Sequence, residues 1–394
     1  MGVTKVETQS WLSRLKQSVM GVLVGLGLAL AMVVLLFWNE GRAVKTARGL
    51  GQGASELVMA APQLVDPAQE GKLVYLGGEP VAPTPLHDAQ TGVMAQGLRL
   101  HRKVQMYQWV QESQSKKDVA LGGTETTTTQ YSYSAQWSEQ AIDSSRFEQA
   151  AQHANPSMAM TGQSFIGDGV QLGSWALDAP VLGQLGADQA YAVTQYDLVA
   201  LQHAIGPQLP MQLVDGQIHV GANPQQPAVG DYRISYQLAP VQPLSIIGRQ
   251  TGHGIRAWQA DSGSEVLMVR AGVVPAEQMF AQAHSGNSTM TWILRALGTL
   301  LLVIAINMVL GPLSVAASVL PLLSRVLAMG TGLIATCVGV ALSVFTMALA
   351  WIFYRPLLAL AIIAVGIALI VAVVMLIGRR RRQLGAMPPP VSAA

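Results

Sequence analysis

Two uncharged apolar stretches constrain this chain more than any other feature. No charged residue lies between Lys16 and Glu40, and residues 19–38 read VMGVLVGLGLALAMVVLLFW. That is about the 20 apolar residues an α-helix needs to cross a hydrocarbon core. A second stretch, residues 296–378, carries only Arg325 and Arg355. It leaves room for three more helices, over residues 292–310, 328–354 and 357–377. The expectation is an integral membrane protein that crosses the bilayer four times. Ala29-Leu30-Ala31 imitates a signal-peptide cleavage site, but seven apolar residues follow it before Asn39, which favours a retained helix.

Charge sharpens this reading. Only 12% of the 394 residues are charged, about half the share of an ordinary soluble domain. Residues 39–291 hold 14 Lys and Arg against 21 Asp and Glu, so the remaining ends hold 10 basic residues and one acid, Glu7. An acidic middle between basic, apolar ends excludes a polybasic nucleic-acid binder. Arg379, Arg380, Arg381 and Arg382 directly follow the last apolar run, and short basic flanks are retained in the cytoplasm. Both ends, residues 1–18 and 378–394, are therefore expected in the cytoplasm, with residues 39–291 outside it, although Arg42, Lys45 and Arg48 weigh the other way. Gly311-Pro312 and Pro321 are expected to break the backbone between the second and third helices.

The extramembrane part begins as a helix. Ala43, Ala47, Leu50, Ala54 and Leu57 recur at spacings of three and four, which predicts an amphipathic extension over residues 39–61, closed by Pro62. Strand patterns follow. Thr127, Thr129, Tyr131, Tyr133, Ala135 and Trp137 alternate with polar residues. Leu98, Leu100, Val104, Met106 and Val110 do the same, with Arg102 and Gln108 interrupting their face. Ser145 and Glu148 match a capping box for a short helix ended by Asn155-Pro156. Pro275 can start another, separated by Ser285-Gly286 from the next crossing. The predicted fold class is a multipass α-helical membrane protein with four transmembrane helices and a large β-rich α+β extracytoplasmic domain, residues 62–291. Two strand-rich stretches, 71–177 and 178–284, suggest two modules.

Chemistry is sparse. The single cysteine, Cys337, excludes an intramolecular disulfide and a Cys-based zinc finger, and the seven histidines lack metal-ligand spacing. There is no nucleophile elbow, Walker loop or dinucleotide fingerprint, so neither catalysis nor a cofactor is expected. Gly21 and Gly25 form a small-xxx-small pair inside the first helix, and Asn307 is the notable amide of the second; both point to helix packing, with an ion path the alternative for Asn307. Asn287-Ser288-Thr289 is a formal glycosylation sequon.

At Trp38-Asn39-Glu40-Gly41-Arg42-Ala43-Val44-Lys45-Thr46-Ala47 the chain resembles the transmembrane protein 43 (LUMA) family. The likeness recurs at Met106-Tyr107-Gln108-Trp109-Val110, at Tyr131-Ser132-Tyr133 with Trp137, at Phe147 and Asn155-Pro156, and at Gly230-Asp231-Tyr232-Arg233. The resemblance implies a non-enzymatic multipass scaffold, with one helix, a large luminal domain and three further helices. Animal members sit in the endoplasmic reticulum and inner nuclear membrane, self-associate, and partner with emerin and lamins. High Ala, Gln and Arg usage with few Lys looks more like a bacterial member, in the inner membrane of a cell with no lamina. Self-association, contact with membrane lipids and envelope organisation would then carry over, with other envelope partners unnamed. The motif residues Asn39, Glu40, Gly41, Arg42 and Lys45 become candidate assembly contacts. Glu40 and Arg42, at i and i+2, do not share a helix face, so each is expected to find its own partner on the domain, another helix or another subunit.

Overall fold

A computed structural model describes residues 2–120, 122–206, 209–316 and 321–357, with 360, 361, 364 and 375. Most of the helix predicted over 357–377, the run Arg379, Arg380, Arg381 and Arg382, and the tail to residue 394 lie outside the described residues. The chain divides into two units: the residues up to Trp11 with Thr46–Gly286, and Leu12–Lys45 with the described residues from Asn287 onward.

Five helices are described: α1 (Trp11–Glu56), α2 (Ala179–Leu182), α3 (Leu198–Ile205), α4 (Ala276–Ala316) and α5 (Pro321–Tyr354). Three of them contain stretches long and apolar enough to cross a membrane: α1, α4 and the Met329–Tyr354 part of α5. In chain order the main strands are β1 (Val3–Gln9), β2 (Leu73–Gly78), β3 (Arg99–Val119), β4 (Glu125–Ser138), β5 (Gln163–Ile166), β6 (Gln189–Tyr191), β7 (Met211–Val214), β8 (Gln217–Val220), β9 (Tyr232–Ala239), β10 (Leu244–Thr251), β11 (Gly254–Arg256) and β12 (Met268–Ala271).

An eight-stranded sheet runs β1-β4-β3-β9-β8-β7, with β5 added to β3 and β6 to β9. A seven-stranded sheet is built on β2-β10-β11, with β12 also on β10 and short strands at both ends. β3 and β4 pair over fourteen residues from Met106↔Ser138 to Val119↔Glu125 and form the long hairpin that their alternation predicts. The second sheet is buried on both faces. Val74, Leu76, Leu244 and Ile246 enter one core with Trp175 and Leu182, while Leu73, Tyr75 and Ile247 enter another with Leu50 of α1 and Met279 and Phe280 of α4. A strand covered on both faces reads as a continuous apolar run, not as an alternating one, and β2 (LVYLGG) and β10 (LSIIGRQT) have that form.

The polar residues interrupting β3 are as deeply buried as their apolar neighbours. Arg102 is 2% exposed and forks both Nη1 hydrogens onto Asp88 (2.9 and 2.8 Å), while its Nη2 donates to Gln90 Oε1 and the Thr161 carbonyl. Tyr236 of β9 donates to the same carboxylate at 2.6 Å. Burial, and then this carboxylate, push the Tyr236 hydroxyl well above the ordinary phenol range, so it remains a donor. Gln108 is fully buried and caps the loop after β4, donating to the Gln140 carbonyl and accepting from Ile142 N–H. Both interruptions are thus hydrogen-bonded, as buried polar groups must be.

Several boundaries differ from expectation. The helical extension ends at Glu56 instead of reaching residue 61, because Val58 and Met59 pair in parallel with Val74 and Tyr75. Residues 71–177 and 178–284 are not separate modules: β2 pairs with β10 and β3 with β9, so each sheet draws on both halves. The capping-box helix does not form. Asp143 caps a single 3-10 turn at Ser144–Arg146, and Asn155 brackets the backbone of Trp109 as a strand would, accepting from its N–H (2.7 Å) and donating to its carbonyl (3.0 Å). The second crossing, expected over residues 292–310, lies inside α4, which runs unbroken from Ala276 through Ser285-Gly286 and carries Pro312 within it.

Residues 1–18, expected as a free cytoplasmic segment, contribute β1, which pairs antiparallel with β4 from Val3↔Tyr131 to Gln9↔Glu125. Backbone hydrogen bonds cannot reach across a hydrocarbon core of about 30 Å, and a polar hairpin following α1 through lipid would leave its edge groups unpaired. Docking of β1 on β4 and a crossing by residues 19–38 therefore exclude each other in one chain. The apolar run weighs for the crossing, at roughly 1.5–3 kcal/mol for each of about 20 side chains, and the pairing weighs for docking, through one edge strand whose residues are mostly exposed.

In native membranes, with Cys337 replaced by Ser, cysteines placed at Thr4 and at Ala187 are expected to react with an impermeant maleimide from opposite sides; reaction from one side would mean that β1 stays docked and α1 does not cross. Separately, Arg102→Met should lower unfolding stability by about 3–5 kcal/mol by stranding Asp88, whereas Asp88→Leu combined with Arg102→Met should recover much of the loss in thermal denaturation.

Candidate functional site

The helix unit has one concentrated polar site, built where the apolar run of α1 ends. Glu40 follows that run by two residues, Arg295 precedes the apolar run of α4, and Trp351 lies near the end of α5. Glu40 is fully buried. Its Oε1 accepts from Arg295 Nε at 2.6 Å, its Oε2 from Arg295 Nη2 at 2.8 Å, and the same Oε2 from Trp351 Nε1 at 2.8 Å. One carboxylate therefore ties three helices together. The guanidinium also lies 4.7 Å from the Trp292 ring centroid and 6.0 Å from that of Trp351, within cation–π range. Bidentate pairing fixes orientation as well as charge.

A neutral-acceptor cluster adjoins the ion pair. Arg42, one turn apart from Asn39, donates to Asn39 Oδ1, Thr291 Oγ1 and Asn287 Oδ1 at 3.1–3.2 Å. Asn39 donates to the Thr291 carbonyl (3.2 Å), and Asn287 to the Ala43 carbonyl (3.0 Å). Asn287, the sequon residue, is thus occupied between α1 and α4. Glu40 and Arg42 turn to different partners, and Lys45 is exposed.

Glycines let the helices approach closely enough for these bonds. A Cβ on Gly41 would lie 2.5 Å from the ring of Tyr354, which packs on Phe37 at 5.5 Å between ring centroids. A Cβ on Gly25 would lie 2.8 Å from the Ala305 carbonyl, one on Gly298 the same distance from Leu36, and one on Gly339 2.7 Å from Val303. Of the predicted pair, Gly25 makes a close approach and Gly21 has nothing within 4 Å. Asn307 is exposed on α4 and has no hydrogen-bond partner among the described residues.

Arg295 and Trp351 were not legible as site residues. The available signal was a lone cation at the start of an apolar helix, which requires a partner, and Glu40 is the acid adjoining the first apolar run. The arrangement can join helices and hold a fixed charge pair; both carboxylate oxygens are engaged.

A β-rich α+β unit flanked by long apolar helices, with an acid-arginine-tryptophan clamp among them, defines an integral membrane protein of one particular type. The sequence profile of the transmembrane protein 43 family matches residues 106–356. Transmembrane protein 43 of Homo sapiens is 32% identical over 93% of this chain and 92% of its own length. The Mus musculus protein is 31% identical over 90% of each, and the Drosophila melanogaster homolog 26% identical over 84% of this chain and 88% of its own. The chain belongs to the transmembrane protein 43 family. No solved structure matches it.

Glu40→Ala is expected to lower thermal stability in detergent by about 3–5 kcal/mol, the usual effect of stranding a buried charge. Glu40→Leu combined with Arg295→Leu should cost clearly less than the two single changes summed; simple additivity would show that the pair is not coupled.

Proposed function

We propose that this protein is a non-enzymatic membrane scaffold that self-associates through its helices and organises proteins or lipids beside the membrane with its β-rich unit. The clamp carries the reading. The buried Glu40 joins α1, α4 and α5, and both its oxygens already accept hydrogen bonds. A group so occupied serves architecture in preference to proton transfer or ion ligation. Asn307 supports self-association, because an exposed carboxamide within an apolar helix gains most by bonding to another helix.

In this reading the membrane is a bacterial inner membrane, with the β-rich unit periplasmic and both termini cytoplasmic; in a eukaryote the membrane is that of the endoplasmic reticulum and the inner nuclear membrane. The partners are lipids, further copies of the chain and other envelope proteins, and not nucleic acid. The second reading is a channel or transporter whose helices surround a pore lined by Asn307.

Light scattering of the detergent-solubilised protein is expected to give an oligomer, and Asn307→Leu to shift it toward the monomer; a strictly monomeric wild type removes the self-association claim. Proteoliposomes should pass no ions, and a current abolished by Asn307→Leu would install the channel reading instead. Glu40→Lys should disturb assembly more than Glu125→Lys.

A further inference from the structure

The eight-stranded sheet carries a cavity of about 230 Å³ lined by Trp137, Asp215, Gln217, His219 and Arg233, among others. Strand register assembles it. Arg233 on β9 sits opposite His219 on β8 and Gln105 on β3. Trp137 comes from β4, and Asp215 from the tight turn between β7 and β8, where its φ is +51° and Gly216 follows.

Two contacts immobilise Arg233. Its Nε and Nη2 both donate to Gln105 Oε1, at 3.0 and 2.7 Å, and its guanidinium carbon lies 4.8 Å from the centroid of the Trp137 ring. Neither contact supplies a negative charge, and no carboxylate pairs with Arg233 among the described residues. Arg233 is half-buried, and its Nη1 has no protein acceptor among the described residues. His219 is 4% exposed, and its Nε2 is buried without a hydrogen-bond partner. The nearest carboxylate oxygen, Asp231 Oδ2, stands 4.0 Å away and accepts instead from Ala228 N–H. The edge of the Trp137 and His219 pair, 6.1 Å between centroids, forms an aromatic wall.

A pre-oriented guanidinium without a counter-ion, next to a buried imidazole lacking a partner, is a donor set waiting for an acceptor. We propose that this cavity binds an oxyanion of the phosphate type, either free phosphate or the phosphate of a lipid headgroup, through Arg233 and His219 against Trp137. Several oxygens on one centre can meet donors on two different strands, and the volume admits a phosphate with the first atoms of an ester. Arg serves here better than Lys, because its fork stays planar against the indole while its free edge faces the ligand.

The site is pH-dependent. Burial holds the His219 imidazole below its ordinary range, Asp231 opposes this and Arg233 adds to it; Asp215 also lines the cavity. His219 is therefore neutral near pH 8 and acquires its proton as the pH falls. A protonated His219 adds a second positive donor, while the phosphate loses its second negative charge over the same range, so the two changes oppose each other.

Isothermal titration of the full-length protein in detergent with inorganic phosphate, and in parallel with dihexanoyl phosphatidic acid, tests this at pH 8 and pH 6. Saturable binding of at least one probe is expected. Binding of phosphate alone assigns a free ion, and binding of the lipid alone assigns a headgroup. Arg233→Gln should weaken binding by about tenfold or more, and His219→Gln should weaken it by a larger factor at pH 6 than at pH 8, a comparison in which the probe's own titration cancels. Absence of binding of both probes to the wild-type protein overturns the proposal, whatever the variants do. So does an Arg233→Gln protein that binds as the wild type does, or a His219→Gln change that alters affinity by the same factor at both pH values.

Discussion

The helix unit depends on one carboxylate. Glu40 sits two residues beyond a run that no charge interrupts, at the point where a helix leaving lipid first meets groups able to hydrogen-bond. A buried acid in such a place is tolerable only if its partners arrive together. Arg295 brings the opposite charge from α4, and Trp351 a neutral donor from α5. Three helices that could otherwise slide along apolar surfaces are thereby pinned at one level. Apolar packing brings membrane helices into proximity but discriminates poorly between registers, because a small shift exchanges one aliphatic contact for another. The carboxylate has no such latitude.

The glycines complete the logic. Gly41 is next to Glu40 and lies under the ring of Tyr354, so the segment presenting the acid is also the one that permits the closest approach to α5. The Asn39, Arg42, Asn287 and Thr291 cluster repeats the principle with mostly neutral acceptors between α1 and α4. Specificity in this unit is concentrated at one end of the helices, and small residues handle the rest.

What could be read from the sequence follows from which forces act locally. The long apolar spans and the β3–β4 hairpin were legible because their periodicity reports burial directly. Arg102 and Gln108 looked like faults in β3, since the residues satisfying them (Asp88, Thr161, Gln140 and Ile142) belong to other segments. β2 and β10 escaped notice because strands buried on both faces lack alternation. The interleaving of the two halves was invisible for the same reason: the pairing of β2 with β10 spans most of the β-rich unit, and nothing local encodes it. At and beside the clamp, Glu40 and Arg42 stood out by the family resemblance of residues 38–47, whereas Arg295 and Trp351 carry the ordinary look of an interfacial cation and aromatic. Gly25 and Gly21 were indistinguishable in sequence; only the neighbouring helix separates them.

Pro312, carried inside α4, has a mechanical consequence. Proline lacks the N–H that would bond the carbonyl of Met308, and its ring crowds that same carbonyl. The helix therefore has a compliant point one turn beyond Asn307 and well removed from the rigid Glu40 end. The apolar part of α4 is thus held where it begins, at Arg295, and free to bow near Pro312, so thickness changes or lateral pressure in the bilayer would be absorbed there and kept from the charged joint.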